Sequence, residues 1–514
     1  MLRRLAFAFG LAGLIAALLA SNAHAAVLGA DDARHLLTRS GFTPPESDVR
    51  VFAGLTREEA VNRILSASTA APLRIAAPEW VNDTVERPAR LRTLSEEERR
   101  AFQQREALRN FELKTWWMTQ ILQTPAPLAE RMTLFWHNHF VSSVQKVRSP
   151  QLMYRQNVLL RQYALGNFGD FLHAAAKDPA MIIYLDSATN RKGQPNENFA
   201  REVMELFTLG EGHYSERDIK EAARAFTGWG VDMEDNAAFK FRPGQHDAET
   251  KTLFGRSGNF DGDAVLDILL AQPAAAEFIV KKMWKEFVSP DLETLPNKNE
   301  ITRIANAFRA SRYDIKTALR AIFSSSRFYA PEHRAALVKS PVELVAGTVR
   351  QFAISYADPL PFAMIAAGLG QNLFAPPNVR GWPGGEAWIN STTLLARKQF
   401  VERMFRVDEM RELAGGVPQQ PMTAAMQDPA MRRQEFGQVK NAGRMGQEGR
   451  ERFMRAAASI QFDSGKFLAP FAGQPYSAIK RAVLPAEPAT PLGAELTPHA
   501  LLKALLLDPV YQLK

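Results

Sequence analysis

The spacing of apolar and polar residues favours α-helices along most of the chain. Two capping boxes, Thr56-x-x-Glu59 and Ser95-x-x-Glu98, each open a run of good helix formers. The second run continues to about residue 124, where Pro125 stops it. Further helices are predicted at residues 128–143, 150–165, 168–177, 198–209, 216–226, 263–270, 273–288, 299–309, 314–324, 341–352 and 498–507.

Strand patterns are rare in this sequence. Residues 239–242 and 250–254, on either side of Pro243-Gly244, predict one small hairpin. Residues 375–393 contain too much proline and glycine for a helix and too much tryptophan for a flexible linker, which indicates an ordered loop. The predicted fold is therefore mainly α: one large multi-helix body with a small β-hairpin and an ordered Pro/Gly/Trp loop.

The amino terminus has the pattern of a cleavable signal peptide. Arg3-Arg4 precede an apolar run over residues 5–20, and Ala23-His24-Ala25 fits a small-x-small cleavage site, so cleavage is expected before Ala26. An uncleaved membrane anchor is the alternative. No later segment has 18 uninterrupted apolar residues, so no transmembrane segment is expected after cleavage. The mature protein is predicted to be periplasmic or secreted.

The rest of the chain divides into three predicted segments. Residues 26–412 form the helical body. Residues 413–452 are rich in Gln, Arg, Met and Gly with little periodicity, which predicts a mobile segment. Residues 453–514 form a carboxyl-terminal segment that ends in a helix.

The amino-acid composition excludes several classes of protein and several kinds of site. The 514 residues include 63 Lys+Arg and 55 Asp+Glu, and 46% are hydrophobic, which excludes a disordered chain, a collagen-like repeat and a polytopic membrane protein. The absence of cysteine excludes disulfide scaffolds, thiolate zinc sites, iron–sulfur clusters and cysteine nucleophiles. Nucleic acid is not an expected partner for an exported protein.

Segments spread over the chain resemble one protein family. They are His35-Leu36-Leu37 with Gly41-Phe42, Glu130-Arg131-Met132, Phe135-Trp136-His137-Asn138-His139-Phe140, Lys177-Asp178-Pro179-Ala180-Met181, Asn196 through Glu202, Met204 through Gly210, Ala223 through Trp229, His246-Asp247, Ser340-Pro341-Val342-Glu343 and Pro376-Pro377-Asn378-Val379-x-Gly381-Trp382. From about residue 30 to 410, the chain is similar to the exported bacterial proteins grouped as the domain of unknown function 1800 family. The resemblance implies export without an assigned activity. It also implies a protein partner, because members are often encoded beside a second exported family with an alkaline-phosphatase-like fold.

Two histidines lie close together in the 128–143 segment. On a helix, His137 and His139 point about 200° apart, so one metal ion can hardly bind both. His139 continues the apolar stripe of Leu128, Met132 and Phe135, which makes it the better metal-ligand candidate. The alternative is a buried histidine bonded to a backbone carbonyl or a carboxylate.

The predicted helix at 198–209 has a dense polar face. Glu202 and Glu205 share that face at a spacing of three residues, which suits a catalytic acid/base pair or a metal site. Asn198 and Arg201 lie on the same arc and are candidate binding residues. The alternative is a solvated face on which Arg201 pairs with Glu197 or Glu205.

Loop histidines are free to approach these carboxylates. His213 follows a glycine-rich helix stop, and His246 lies near the predicted hairpin. Together with His139, Glu202 and Glu205 they would suit Zn, Mn or Fe by ligand type. A divalent metal is the only cofactor that the residues suggest, and the cofactor is otherwise unknown.

The segment 376–388 carries the last candidate binding residues. Trp382 and Trp388 lie beside Asn378 and Arg380 on a loop that prolines and glycines stiffen. Exposed tryptophans on such a loop would suit a sugar face or a protein partner. The alternative is a loop that packs on the helical body with both tryptophans buried.

These patterns support three hypotheses of function. The first is an exported envelope protein that acts with a protein partner through a polar pocket and an aromatic loop. The second is a metal-dependent hydrolase of an envelope or extracellular ester, phosphate or glycan. The third is a carbohydrate-binding protein that uses Trp382 and Trp388.

Overall fold

The computed structural model describes residues 26–69, 73, 75–413, 447–493 and 496–514. The predicted signal peptide and residues 414–446 of the segment predicted to be mobile lie outside the described residues.

The predicted fold class is confirmed, because helices dominate the described chain and strands form only small hairpins. The α-helices are Gly29–Ser40, Glu46–Ala53, Arg57–Thr69, Pro88–Thr93, Glu96–Gln123, Pro127–His137, Val144–Val147, Pro150–Tyr163, Phe168–Ala176, Pro179–Tyr184, Glu197–Glu202, Glu216–Ala225, Gly262–Ala271, Pro273–Phe287, Leu295–Ala310, Ile315–Ser324, Pro341–Gln351, Leu360–Gly368, Ser391–Leu413, Gln447–Ala458, Ser464–Leu468, Tyr476–Val483 and Pro498–Leu507.

Local chemistry explains where several helices begin. Ser95 accepts the backbone N–H of Glu98 while the Glu98 carboxylate accepts the N–H of Ser95, so the predicted capping box is present. The same reciprocal bonds join Thr56 and Glu59. Proline occupies the first turn of the Pro127–His137 helix, where its missing N–H has no helical partner to lose.

The strands pair differently from the prediction. Trp229–Asp232 pairs antiparallel with Ala238–Phe241, and Lys251–Leu253 pairs antiparallel with Arg256–Gly258. The two predicted strand segments are thus strands of separate hairpins, because each pairs with its own near neighbour in sequence. Short loops close these pairs at a lower entropy cost than a pairing across the Pro243-Gly244 segment.

Two helices depart from their predicted lengths near the candidate site. The Pro127–His137 helix ends at His137 rather than at residue 143. The segment predicted as one helix at 198–209 is α-helical over Glu197–Glu202 and then widens into a π-helix over Val203–Thr208. The backbone N–H of Leu209 donates to the carbonyl of Met204, the wider spacing that a π-turn requires.

One hydrophobic cluster extends through the described chain from Leu36 to Tyr511. Its largest fully buried side chains include Trp117, Trp136 and Trp284. Trp136 immediately precedes the His137-Asn138-His139 segment, so this segment starts inside the core. Among the described residues, no helix combines the length and the apolar character that crossing a membrane requires.

Candidate functional site

Three consecutive polar residues at the end of the Pro127–His137 helix point their side chains into three different surroundings. His137 faces an aromatic pocket, Asn138 binds the Pro/Gly/Trp loop, and His139 faces the π-helical turn. His137 and His139 thus lie in different surroundings, although the helix ends at His137 and does not continue through His139 as the predicted divergence assumed. The segment therefore connects the loop to the π-helix through the core.

His139 is a buried, neutral histidine. Lys282 Nζ lies 2.8 Å from its Nδ1, and the Phe207 carbonyl lies 3.1 Å from its Nε2. Because an ammonium can only donate, Nδ1 accepts and Nε2–H donates to the carbonyl. Burial, reinforced by Lys282, holds the pKa of His139 well below its ordinary value. Burial, with help from Lys285, also lowers the pKa of Lys282 to about 7.

His137 is fully buried among aromatic rings. Its ring centroid lies 5.3 Å from that of Trp117, 5.6 Å from Phe374 and 5.4 Å from Trp382. Burial lowers its pKa to about 3, so the imidazole is neutral at physiological pH. Neither ring nitrogen has a hydrogen-bond partner within the described part of the chain.

Asn138 fixes the Pro/Gly/Trp loop to the core. Its side-chain oxygen accepts the backbone N–H of Trp382 at 2.6 Å, and its amide donates to the Trp382 carbonyl at 3.4 Å. Gly381 makes this approach possible, because it has φ of +86° and a Cβ there would lie 2.2 Å from the Asn138 oxygen. The loop is thus ordered by specific bonds.

Both candidate tryptophans of the loop are buried. The exposed fractions are 4% for Trp382 and 6% for Trp388, so neither indole offers a face to solvent. Asn378 is exposed, and its side-chain oxygen accepts the backbone N–H of Arg380. The polar positions of the loop face outward while its aromatic positions complete the core.

Arg380 links the Pro/Gly/Trp loop to the π-helix. Its guanidinium pairs with Glu205 at 2.7 Å and with Glu211 at 3.2 Å. The hydroxyl of Tyr214 donates to the other oxygen of Glu205 at 3.0 Å. We name Glu202, Glu205, Glu211, Tyr214 and Arg380 the π-turn cluster.

Glu202 is the member of the π-turn cluster whose carboxyl group lacks a partner. It is half-buried and forms no hydrogen bond or ion pair with any other residue that the structure describes. Burial and the neighbouring Glu205 raise its pKa, while Arg380 opposes the rise. Burial and the hydrogen bond to Glu205 raise the pKa of Tyr214 to about 12.

The other polar residues of this helix have structural bonds. Asn198 donates its side-chain amide to the Leu185 carbonyl at 3.0 Å. Arg201 pairs with Glu216 through two bonds of 2.8 Å and with Glu197 at 3.5 Å. The predicted alternative, in which Arg201 pairs with Glu197, is therefore present on this face.

The predicted metal ligands do not meet. His139 is buried with both ring nitrogens bonded, whereas His213 is exposed on a turn. His246 points its Nδ1 at the Thr227 carbonyl, 2.9 Å away. Over the described ranges, no three His, Asp or Glu residues are grouped so that they could hold a metal ion.

Sequence patterns alone missed three residues around this site. Lys282 contacts His139, Tyr214 contacts Glu205, and Glu211 contacts Arg380. Tyr214 and Glu211 follow the helix closely in sequence, so proximity was a usable signal for them. Lys282 comes from a helix far along the chain, and no pattern in its own segment indicates the contact.

Comparison with known proteins identifies one family. The family model described as "Protein of unknown function (DUF1800)" matches residues 35–513, which extends the resemblance seen over residues 30–410 to nearly the whole chain. No curated protein and no solved structure matches the chain. The chain therefore belongs to the DUF1800 family of proteins of unknown function.

Proposed function

We propose that this protein is exported to the cell envelope and acts there with a protein partner, which it contacts through the π-turn cluster. The proposal rests on one observation: the π-turn cluster holds solvent-exposed charges on a part of the structure that is fixed to the core. Arg380 is 63% exposed and Glu211 is 70% exposed, yet Arg380 is held between Glu205 and a loop pinned to the core. Charges held in place lose little conformational entropy when a partner binds.

The net charge of the π-turn cluster indicates the chemistry of the partner surface. Its carboxylates outnumber its one guanidinium, and Glu202 has no cation of its own among the described residues. A basic surface would complement this arrangement. The proposed partner is the exported protein of alkaline-phosphatase-like fold that is often encoded beside members of this family.

The test is a binding measurement between the two purified mature proteins by isothermal titration calorimetry. We expect the Glu202→Lys, Glu211→Lys double variant to weaken binding by more than about tenfold, because it reverses two charges on the contact surface. Glu97→Lys, on an exposed position of the Glu96–Gln123 helix, is the matched control. Equal affinities for the wild type and the double variant would remove the π-turn cluster from the proposal.

Export needs a separate measurement. The mature protein recovered from the periplasm or medium should begin at Ala26, as determined by intact mass. A protein that remains in the cytoplasm with residues 1–25 attached would contradict export without affecting the binding test.

A second candidate function is hydrolysis by the Glu202 and Glu205 carboxyl groups. Glu202 has no partner among the described residues and a raised pKa, whereas Arg380 and Tyr214 hold Glu205 by charge and hydrogen bonding. Two neighbouring carboxyl groups in unlike surroundings are the usual arrangement of a catalytic acid and base. This candidate rests on the carboxyl pair and not on the predicted metal centre.

The hydrolase candidate is tested with panels of ester, phosphate and glycan substrates. We expect Glu202→Gln to reduce any activity by more than about 100-fold while the protein stays folded. Glu97→Gln is the control for a neutralised surface carboxylate. Activity that survives in both Glu202→Gln and Glu205→Gln would assign it to another part of the molecule.

A further inference from the structure

Five of the cationic side chains buried in the described part of the chain interact electrostatically with one another, away from the π-turn cluster. Their exposed fractions are 4% or less. They are Arg39, Arg131, Lys339, Arg397 and Lys514. We name them the buried cation cluster.

Only two carboxylates neutralise the buried cation cluster among the described residues. Glu343 pairs with both Arg131 and Lys514, and its second oxygen accepts the backbone N–H of Ser340. Glu286 pairs with Arg131 at 2.5 Å. A free α-carboxylate on Lys514 would add a third negative charge, and the five cations would still be in excess.

Within the described ranges, three members of the cluster donate hydrogen bonds only to uncharged oxygens. Arg39 donates to the carbonyls of Phe287, Val288 and His333, and the first two belong to a helix end whose dipole partly offsets the charge. Arg397 donates to the side chain of Gln512 and to a backbone carbonyl.

Lys339, the third member, donates to the Tyr511 carbonyl at 2.8 Å, and its ammonium lies 4.1 Å from the centre of the Tyr511 ring. A carbonyl dipole and the negative face of an aromatic ring stabilise a cation but leave its net charge in place.

The guanidinium groups also have unused donors. The Nε atoms of Arg39, Arg131 and Arg397 are buried and have no hydrogen-bond partner within the described ranges. A buried N–H without an acceptor destabilises the folded state, because it has lost its hydrogen bonds to water. The unused donors call for a hydrogen-bond acceptor, and the excess positive charge in the same region favours one that is negatively charged.

The two lysines of the cluster have lowered pKa values, as expected where positive charge is buried in excess. Burial lowers the pKa of Lys339 to about 7 and that of Lys514 to about 8, although Glu343 raises both. Proton loss from the lysines relieves part of the excess. The arginines cannot lose their protons, so their charges persist.

We propose that the buried cation cluster binds a small inorganic anion, chloride in the first instance, between the arginine side chains. The anion accepts the unused N–H donors and reduces the net positive charge of the core. This site is distinct from the π-turn cluster and does not depend on the function proposed for it.

Crystals soaked in bromide provide the direct test on the intact mature protein. We expect an anomalous peak at the bromine edge within hydrogen-bond distance of at least one of the three Nε atoms. A well-ordered cluster with no such peak would overturn the proposal.

Thermal unfolding in chloride and in gluconate, at equal ionic strength and pH, provides the solution test. The midpoint should rise with chloride and saturate, as binding to one site in the folded state requires. A third series in sulfate distinguishes a site for halides from one that also accepts oxyanions. Equal midpoints in all three salts would mean that proton loss alone relieves the cluster.

Lys339→Met tests whether the cluster is the site. Removing one cation should at least halve the chloride-dependent gain in midpoint. Lys398→Met is the matched control, because Lys398 is exposed on the helix that carries Arg397. A chloride effect of equal size in both variants would place the anion elsewhere, and the bromide peak decides the question if Lys339→Met does not fold.

Discussion

The π-turn cluster and the buried cation cluster use the same kinds of side chain in opposite surroundings. The Arg380 side chain is 63% exposed, whereas that of Arg131 is 2% exposed, and each guanidinium pairs with two carboxylates. Water screens the first set of pairs, so they contribute little to stability and are available for recognition. The buried pairs of Arg131 have little water to replace a lost partner, so removing one carboxylate is costly.

One helix supports both clusters. Arg131 lies in the middle of the Pro127–His137 helix, and Asn138 and His139 lie directly after its end. A change in the core can therefore displace the surface cluster, whereas a change at the surface need not disturb the core. Substitutions in the two clusters should separate stability from binding.

Glu343→Gln should have the largest effect on stability. It leaves Arg131 and Lys514 without their shared carboxylate, and breaking a buried ion pair typically costs about 3–5 kcal/mol. Urea unfolding monitored by circular dichroism measures the change. Glu97→Gln is the surface control and should leave the midpoint unchanged. A loss of less than 1 kcal/mol, as a rough threshold, would show that the cluster tolerates one carboxylate fewer.

Gly381→Ala should have the next largest effect, because it separates the loop from Asn138. A left-handed backbone costs an alanine about 1–2 kcal/mol, and the new Cβ would also overlap the Asn138 side chain. Gly385→Ala is the matched control, since Gly385 also has positive φ but has open space around its Cβ position. A greater loss for Gly381→Ala, with red-shifted tryptophan emission, is expected. Equal losses would contradict the role of Asn138.

His137 should make the protein less stable in acid. The unfolded chain takes up a proton near pH 6.5 but the folded chain only near pH 3, so stability falls as the pH drops between these values. The contribution is about 1.4 kcal/mol for each pH unit. His137→Phe should flatten the dependence of unfolding free energy on pH by this amount, whereas His213→Phe, at an exposed position, should not. Parallel curves for all three proteins would contradict the neutral, buried state of His137.

Much of the helical fold could be predicted, because helix starts and apolar stripes are encoded within short segments. The capping box at Ser95 follows from its own sequence motif. The separation of His137 from His139 does not follow from helix geometry, because the helix ends at His137. The π-turn could not be predicted in this way. An α-turn and a π-turn place similar residues on the buried side, so local spacing does not distinguish them. The bond from His139 to the Phe207 carbonyl of this turn likewise comes from a distant segment.

The candidate site was predictable only in part for the same reason. Glu202 and Glu205 share a helical face, so their proximity follows from local spacing. The partners of that face come from the loop residue Arg380 and from Tyr214, and the contact of His139 comes from Lys282. Local periodicity carries no information about which distant segment packs on a face. The burial of Trp382 and Trp388 depends likewise on other segments, because Trp382 packs against His137 and Trp388 lies beside Gly370.

Arg380→Met should have the smallest effect on stability and gives the sharpest contrast with the core. Its guanidinium is 63% exposed and therefore screened by water, so the unfolding midpoint should match that of the wild type within experimental error. Removing the guanidinium also removes the charge that opposes the rise in the pKa of Glu202, so that pKa should increase further, as measured by carbon-13 NMR titration. Arg100→Met, which breaks another exposed ion pair, is the control and should leave Glu202 unchanged. A large loss of stability for Arg380→Met would mean that Arg380 anchors the loop, and the division between a recognition surface and a stabilising core would then fail at this residue.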